Sequence, residues 1–170
     1  MPLNLELKTK LKSHNRIKLI LNNIGAENKG ILNQKDIYYN VADGLLKLRI
    51  EDECETLIYY NRDENGKDRW SDYHLLKISD GKSENFLKRL FKVEVIVQKR
   101  RELYLYDNTR IHLDTVKSLG KYLELETLVI KGTADAQKRF KRIMKLLELE
   151  GTVEIRKSYR DILLGKMNKK

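Results

Sequence analysis

The sequence predicts an α+β fold in which about eight antiparallel strands form a sheet and helices pack against it. Strands are indicated by strict alternation of apolar and charged residues, as in GLLKLRIE at 44–51. Turn signals at short intervals between such segments indicate hairpin connections. A helix is indicated near the carboxyl end, where Phe140, Ile143, Met144 and Leu147 recur at helical spacing.

Each predicted strand combines alternation, or β-branched and aromatic residues, with a flanking turn. The predicted strands cover residues 3–10, 31–40, 44–51, 56–62, 70–79, 93–105, 109–116 and 121–130. The segments 93–105 and 109–116 flank Tyr106, Asp107 and Asn108, and we expect them to form a hairpin.

Four helices are predicted from apolar spacing and from the residues that begin or end them. They run from Ser13 to about Asn23, from Ser83 to about Phe91, from Thr133 to before Gly151, and over residues 159–163. Gly25 is expected to close the first helix. The basic tail at 163–170 is expected to fray. Since 170 residues suffice for one apolar core, one domain over residues 1–170 is predicted.

Charge and composition limit the classes of function. The chain carries 35 Lys and Arg residues against 25 Asp and Glu residues, a net charge of +10 that favours an anionic partner. No apolar run approaches the ~20 residues of a membrane helix, and the amino-terminal MPLNLELKTK lacks the order of a secretory signal. We therefore expect a cytoplasmic protein with no membrane partner. Cys54 has no second cysteine to pair with, and no Cys or His spacing indicates structural zinc.

Charged residues at a spacing of two recur on five predicted strands, with mainly apolar residues between them. These residues are Glu6, Lys8 and Lys10; Lys47 and Arg49; Lys99 and Arg101; Arg110, His112 and Asp114; and Glu124 and Glu126. The apolar positions require a core on one face of the strands. Two arrangements satisfy this requirement: a sandwich or sheet with charged faces outward, or a closed barrel whose charged faces line the interior.

The signs of these charges differ from strand to strand. The segments 44–51 and 93–105 carry purely cationic pairs, whereas Glu124 and Glu126 form an anionic pair, and a merely solvated surface would mix the signs. Lys and Arg bind phosphate oxygens, and paired carboxylates bind a hard divalent cation. The pattern therefore favours the closed barrel and predicts a metal–polyphosphate ligand. His112 is expected to line the site through hydrogen bonds rather than to ligate metal.

With these residues identified, the chain resembles the CYTH superfamily of triphosphate tunnel metalloenzymes over nearly its whole length. NLELK is similar to the amino-terminal ExExK motif, and QKDIYYN with GLLKLRI is similar to the strand pair that follows it. VQKRR is similar to VxKxR, and TRIHLDTVKSLGKYLELE to the closing RxxLD and GLGxFxELE segments. SDYHLLKISD and SYRDILL look closest to the class IV adenylyl cyclases. The resemblance implies a closed antiparallel β-barrel, or tunnel, with helices packed outside.

The resemblance also implies a triphosphate held by cations and a divalent ion, Mg²⁺ or Mn²⁺, held by carboxylates. By motif position, the triphosphate-binding residues are Lys8, Lys47, Arg49, Arg62, Lys99, Arg101 and Arg110. The metal-binding residues are Glu6, Asp114, Glu124 and Glu126, and the catalytic set is Asp114, Lys99 and Arg101. Asp114 is expected to act as a base near the reacting hydroxyl or as a metal ligand.

The implied activity is that of a class IV adenylyl cyclase, which converts ATP into cyclic AMP and pyrophosphate. The alternative is a triphosphatase that hydrolyses thiamine triphosphate, inorganic triphosphate or a nucleotide. A further alternative is a non-catalytic triphosphate-binding module, because Asn4 replaces the first carboxylate of ExExK and brings no negative charge to the metal. Tyr38, Tyr60 and Trp70 are interpreted as packing residues. Nucleic acid is not an expected partner, and only the resemblance implies a homodimer.

Overall fold

A computed structural model describes residues 4–52, 54–62, 71–79 and 81–168, with the side chains of 61–62 and 71–73 outside the description. Within these residues the chain forms eight strands and four helices, which confirms the predicted α+β class. The strands are β1 Asn4–Leu11, β2 Glu27–Tyr39, β3 Leu45–Glu51, β4 Cys54–Arg62, β5 Ser71–Ile78, β6 Val93–Tyr106, β7 Thr109–Val116 and β8 Gly120–Leu128. The helices are α1 Asn15–Asn23, α2 Ser83–Leu90, α3 Thr133–Leu146 and α4 Tyr159–Met167.

The strands follow the order β1-β8-β7-β6-β2-β3-β4-β5 in one sheet. Antiparallel pairing joins β1 to β8, β2 to β3, β3 to β4 and β4 to β5. Over the described residues, this order has β1 and β5 at its two ends. Closure of the sheet into a barrel is therefore not confirmed and stays a prediction.

The chain divides into two compact units. The first unit contains residues 1–31, 101–115 and 120–156, and the second contains residues 32–100, 116–119 and 157–170. The strands β2 and β6 each contribute residues to both units. The prediction of one domain over the chain stays a prediction.

Alternate positions of β1, β7 and β8 supply the apolar core of the first unit, together with α1 and α3. The buried residues are Leu7 on β1, Ile17 and Leu21 on α1, Ile111 and Leu113 on β7, Leu123 and Leu125 on β8, and Ile143 and Leu147 at α3. Burial of each such side chain stabilises the fold by about 1.5–3 kcal/mol. Because side chains alternate along a strand, the charged residues between these positions lie on the opposite face.

The second unit has its own core, built on β2, β3 and α2. Ile37, Leu46, Leu48 and Leu87 are buried there, and Phe91 packs against them. Since Leu46 and Leu48 occupy one face of β3, the cationic pair of that strand lies on the other face.

The turn between β6 and β7 lies where it was predicted but has two residues rather than three, because β6 includes Tyr106. Asp107 and Asn108 have φ angles of 46° and 54°, the left-handed pair that a type I′ turn needs. Asp and Asn adopt this conformation more readily than other non-glycine residues. The turn fixes the register of the hairpin and thereby decides which residues of β7 lie on its charged face.

The ends of α1 follow the sequence prediction closely. Gly25, with a φ of 73°, follows the helix, and the N–H of Ala26 donates to the Leu21 carbonyl at 2.9 Å, as in a Schellman motif. The N-cap is His14 rather than Ser13, whose hydroxyl precedes the cap by one residue.

The last helix is longer than predicted. A capping box joins Ser158 and Asp161 at its start, and the helix continues to Met167, into the segment that was expected to fray. No helix among the described residues combines the length and apolar character that crossing a membrane requires.

Candidate functional site

Each charged face contains side chains that are buried. Lys8, Lys99, Arg101, His112 and Asp114 are each at most 8% exposed. A solvated surface would leave such side chains in water. Burying an ion costs several kcal/mol unless partners compensate, so a concentration of buried charge is typical of a functional site.

The charged face of the first unit carries what we call the acidic cluster. Its members are Glu6, Lys8, Arg101, His112, Asp114, Glu124 and Glu126. Pairing of β1 with β8 places Glu6 opposite Glu126 and Lys8 opposite Glu124, and Lys8 Nζ lies 3.1 Å from Glu124 Oε1. Like charges directly opposite each other on a ladder destabilise the pair. Arg110 Nη1, at 3.5 Å from Glu126 Oε2, offsets part of this repulsion.

Arg101 holds two carboxylates of the acidic cluster. Its Nε donates to Asp114 Oδ1 at 2.7 Å and its Nη2 to Asp114 Oδ2 at 2.6 Å, a bidentate pair, and Nη2 also donates to Glu124 Oε2. Burial alone would lower the pKa of Arg101, but Glu124 and Asp114 raise that pKa well above its usual value. The guanidinium therefore stays charged and fixes both carboxylates.

The oxygen and nitrogen donors of the acidic cluster fit a divalent ion. His112, Glu124 and Glu126 each offer one ligand atom, and these atoms lie within 4.8 Å of one another. Two buried atoms that could ligate a metal, His112 Nδ1 and Asn4 Oδ1, have no hydrogen-bond partner among the described residues. The hydrogen bond that the sequence predicted for His112 is therefore missing at Nδ1. Carboxylate oxygens, an amide oxygen and an imidazole are all established metal ligands.

The charged face of the second unit carries what we call the cationic cluster. Its members are Asp36, Tyr38, Lys47, Arg49, Tyr60, Lys99 and Tyr159. Asp36 lies opposite Arg49 on the β2–β3 ladder. Arg49 donates from Nε and Nη2 to the two Asp36 oxygens at 2.7 Å each, and Lys47 Nζ donates to Oδ2 at 3.0 Å. One carboxylate thus joins two neighbouring cations.

Burial and charge move two pKa values in this cluster. Burial alone would raise the pKa of Asp36, but Lys47 and Arg49 hold it far below its usual range. Burial lowers the pKa of Lys47 to about 7, although Asp36 acts in the opposite direction. Asp36 is therefore ionised at neutral pH, whereas Lys47 exchanges its proton close to neutral pH.

Aromatic rings lie close to both lysines of the cationic cluster. Lys47 Nζ lies 5.4 Å from the ring centre of Tyr38 and 5.7 Å from that of Tyr60. Lys99 Nζ lies 5.3 Å from the ring centre of Tyr159. All three distances are within the range of cation–π attraction.

The first turn of α4 holds Tyr159 in this position. Arg160 donates to both Glu94 oxygens of β6, from Nε at 2.6 Å and from Nη2 at 2.5 Å, and its Nη1 donates to Asp161 at 2.8 Å. These contacts attach the start of the helix to the strand that carries Lys99.

The structure brings together most of the predicted site residues within their own units. Glu6, Lys8, Arg101, Asp114, Glu124 and Glu126 share the acidic cluster, and Lys47, Arg49 and Lys99 share the cationic cluster. Arg110 lies at the edge, with its side chain 48% exposed and Nη1 at 3.5 Å from Glu126 Oε2. The side chain of Arg62 and the whole of Trp70 lie outside the described residues.

The sequence did not identify four residues that contact the predicted triphosphate-binding residues. Asp36 is an isolated carboxylate in an aromatic strand, and only its register with Arg49 reveals its position. Tyr38 and Tyr60 were assigned to packing, yet both rings face Lys47. The sequence signal near Tyr159 was the capping-box segment SYRD at 158–161, which indicates that a helix begins there.

Comparison with known proteins places the chain in a family. The sequence model of the CYTH domain matches residues 3–159, which include every predicted site residue. The chain belongs to the CYTH family. A relative of this CYTH protein from Methanocaldococcus jannaschii, provisionally named an adenylate cyclase, is 27% identical over 175 residues, covering 94% of this chain and 98% of the relative.

Two solved structures share the fold of this CYTH protein. A protein from Pyrococcus horikoshii has a TM-score of 0.80 and 24% identity, and the match covers 94% of this chain and 98% of that one. A Hippeastrum protein, provisionally named an adenylyl cyclase and described as having a dominant triphosphatase activity, has a TM-score of 0.71 and 12% identity over 96% of each chain.

Proposed function

We propose that this CYTH protein is a metal-dependent enzyme that acts on a triphosphate, most like a class IV adenylyl cyclase that converts ATP into cyclic AMP and pyrophosphate. The observation that carries the proposal is the group of three cations that surrounds Asp36 in the second unit. Lys47 and Arg49 contact the Asp36 carboxylate directly, and Lys99 also acts on it electrostatically. A triphosphate offers several anionic oxygens to such a group of cations.

The cationic cluster would bind the phosphate oxygens. Arg49 offers a planar fork for two oxygens, whereas Lys47 and Lys99 act as point charges. Asp36 now occupies the donors of Arg49 and Lys47, so it holds both side chains in place before the substrate arrives. Phosphate oxygens would then add to this arrangement or replace some of the Asp36 contacts.

The acidic cluster would hold Mg²⁺ or Mn²⁺ through Glu6, Glu124 and Glu126, with the Asn4 oxygen in place of the missing carboxylate. When bound, the ion would supply positive charge to the acidic cluster. Asp114 is fully buried and both its oxygens accept from Arg101, so its geometry supports a positioning role rather than that of a base at the substrate.

Two reactions fit this arrangement. In the cyclase, the 3′ hydroxyl of ATP attacks the α-phosphorus and pyrophosphate leaves; in the triphosphatase, water attacks the γ-phosphorus. Lys47, Arg49 and Lys99 would stabilise the developing phosphate charge in either case. Tyr38 and Tyr60 both face Lys47 and would form part of its surroundings in either reaction.

The test is product analysis by chromatography after incubation with ATP, thiamine triphosphate or inorganic triphosphate, each with Mg²⁺ or Mn²⁺. Cyclic AMP from ATP would support the cyclase, and phosphate release would support the triphosphatase. If the protein binds a triphosphate in EDTA but forms no product with Mg²⁺ or Mn²⁺, the non-catalytic binding module is the remaining candidate. A protein that neither binds nor converts any of the three refutes the proposal.

A double substitution tests the role of the acidic cluster. Glu124→Ala with Glu126→Ala should abolish turnover, because it removes two of the proposed metal ligands. The matched control is Glu150→Ala with Glu154→Ala, which removes two exposed glutamates. Undiminished turnover in the first pair would contradict the assignment.

A further inference from the structure

His112 is the most unusual group of the acidic cluster. Its side chain is 6% exposed, and its Nδ1 is buried without a hydrogen-bond partner. A buried polar atom without a partner destabilises the folded protein, because it has lost its hydrogen bonds to water. Since Nδ1 points toward carboxylates rather than into the core, the geometry calls for a ligand between them.

The neighbours of Nδ1 are carboxylate oxygens that are too far away for hydrogen bonds. Glu126 Oε1 lies at 3.7 Å and Glu124 Oε2 at 3.9 Å, whereas an N–H···O hydrogen bond spans about 2.7–3.2 Å. Two ligands that each lie about 2.1 Å from one ion are roughly 3.0–3.4 Å apart at octahedral or tetrahedral angles. The observed separations exceed this range by less than 1 Å, so small side-chain rotations would bring the three donors onto one ion.

We propose that His112 Nδ1 is a ligand of the divalent ion beside Glu124 and Glu126, and that this nitrogen makes the site select a first-row transition-metal ion over Mg²⁺. The inference rests on the proposed function in that both place a metal in the acidic cluster. Mg²⁺ strongly favours oxygen ligands, whereas an imidazole nitrogen suits transition metals. His112 is then a residue that determines metal specificity.

The other contacts of Glu124 are compatible with this assignment. Its Oε1 pairs with Lys8 and its Oε2 accepts from Arg101. A carboxylate has about four lone-pair sites, so each oxygen can accept a cationic donor and also ligate an ion. Because Lys8 and Arg101 already neutralise part of its charge, Glu124 is a weaker ligand, and a neutral imidazole adds donor strength at the same place.

The experiment measures metal binding directly, without triphosphate. MgCl₂, MnCl₂ and CoCl₂ are titrated by calorimetry into metal-free wild-type protein, into His112→Gln and into the control His74→Gln, which removes an exposed imidazole in the second unit. We expect wild type and His74→Gln to bind Co²⁺ at least about tenfold more tightly than Mg²⁺, and His112→Gln to lose about tenfold in Co²⁺ affinity while its Mg²⁺ affinity changes less than about threefold.

A spectroscopic readout needs no variant at His112. Pulsed electron paramagnetic resonance of the Mn²⁺-loaded wild type should show the ¹⁴N modulation of a bound imidazole, and His74→Gln should retain it. Bound Mn²⁺ without this modulation overturns the inference, as does His112→Gln with unchanged Co²⁺ affinity or a wild type that binds no metal. Tripolyphosphate binding in EDTA, measured on the same samples, tests the proposed function separately.

Discussion

Lys47 should make triphosphate binding depend on pH. Its side chain is 11% exposed, and burial lowers its pKa to about 7. The groups around it keep their charge near neutral pH: Asp36 stays ionised, Arg49 stays cationic, and burial raises the pKa of Tyr38 well above its usual value. A bound triphosphate places negative charge beside Lys47 and should raise its pKa. Binding should therefore be accompanied by proton uptake at this lysine.

The size of the effect follows from the pKa of the free protein. With a pKa of about 7, roughly a tenth of the Lys47 side chains carry the proton at pH 8, so binding should take up about 0.9 proton. The free protein loses this proton as the pH rises through 7, while the complex keeps it. Affinity should therefore be greatest below pH 7 and fall about 20-fold between pH 7.5 and pH 9.

The assay is calorimetric titration of tripolyphosphate in EDTA, in two buffers that differ in their enthalpy of ionisation. Because tripolyphosphate exchanges protons of its own in this range, the lysine is isolated by comparison with Lys47→Arg. At pH 8 this variant should take up about 0.9 proton less than wild type and should lack the additional fall in affinity, because arginine stays charged. The matched control, Lys77→Arg, changes an exposed lysine of β5 and should behave like wild type. The same proton uptake, or the same pH dependence, in wild type and Lys47→Arg would refute this account of Lys47.

Two further predictions concern the stability of the second unit. Asp36→Asn should lower the free energy of unfolding by about 3–5 kcal/mol in urea titration, because it leaves Lys47 and Arg49 buried without their shared carboxylate. The exposed control Asp43→Asn should stay within about 0.5 kcal/mol of wild type, and equal effects of the two changes would contradict the role of Asp36. Tyr159→Leu should destabilise the protein by about 1–2 kcal/mol more than Tyr159→Phe, which keeps the ring beside Lys99; equal unfolding midpoints would speak against that contact.

Much of the fold was predictable because alternation and helical spacing are local signals. In β3, the period of two predicted both the buried Leu46 and Leu48 and the opposite placement of Lys47 and Arg49. The start of β2 at Glu27 could not be predicted in this way, since residues 27–30 are polar and exposed and pair through their backbone.

The composition of the clusters was less predictable, because it depends on which strands are neighbours. The pairing of Asp36 with Arg49 follows from the β2–β3 register. The role of His112 depends on distances from β7 to two side chains of β8, which sequence spacing does not contain. Local patterns therefore identified most of the charged residues, whereas their partners required the three-dimensional arrangement.

Pairing of the first strand with the last has a consequence for the synthesis of the protein. β1 is translated before the other described strands, and its ladder partner β8 is translated after them. Lys8 therefore cannot pair with Glu124 until most of the chain has been made. Such long-range pairings form slowly and leave a strand edge open to aggregation in the meantime. The acidic cluster is therefore assembled only after β8 has left the ribosome, and acquisition of the proposed metal affinity would report that the β1–β8 ladder has formed.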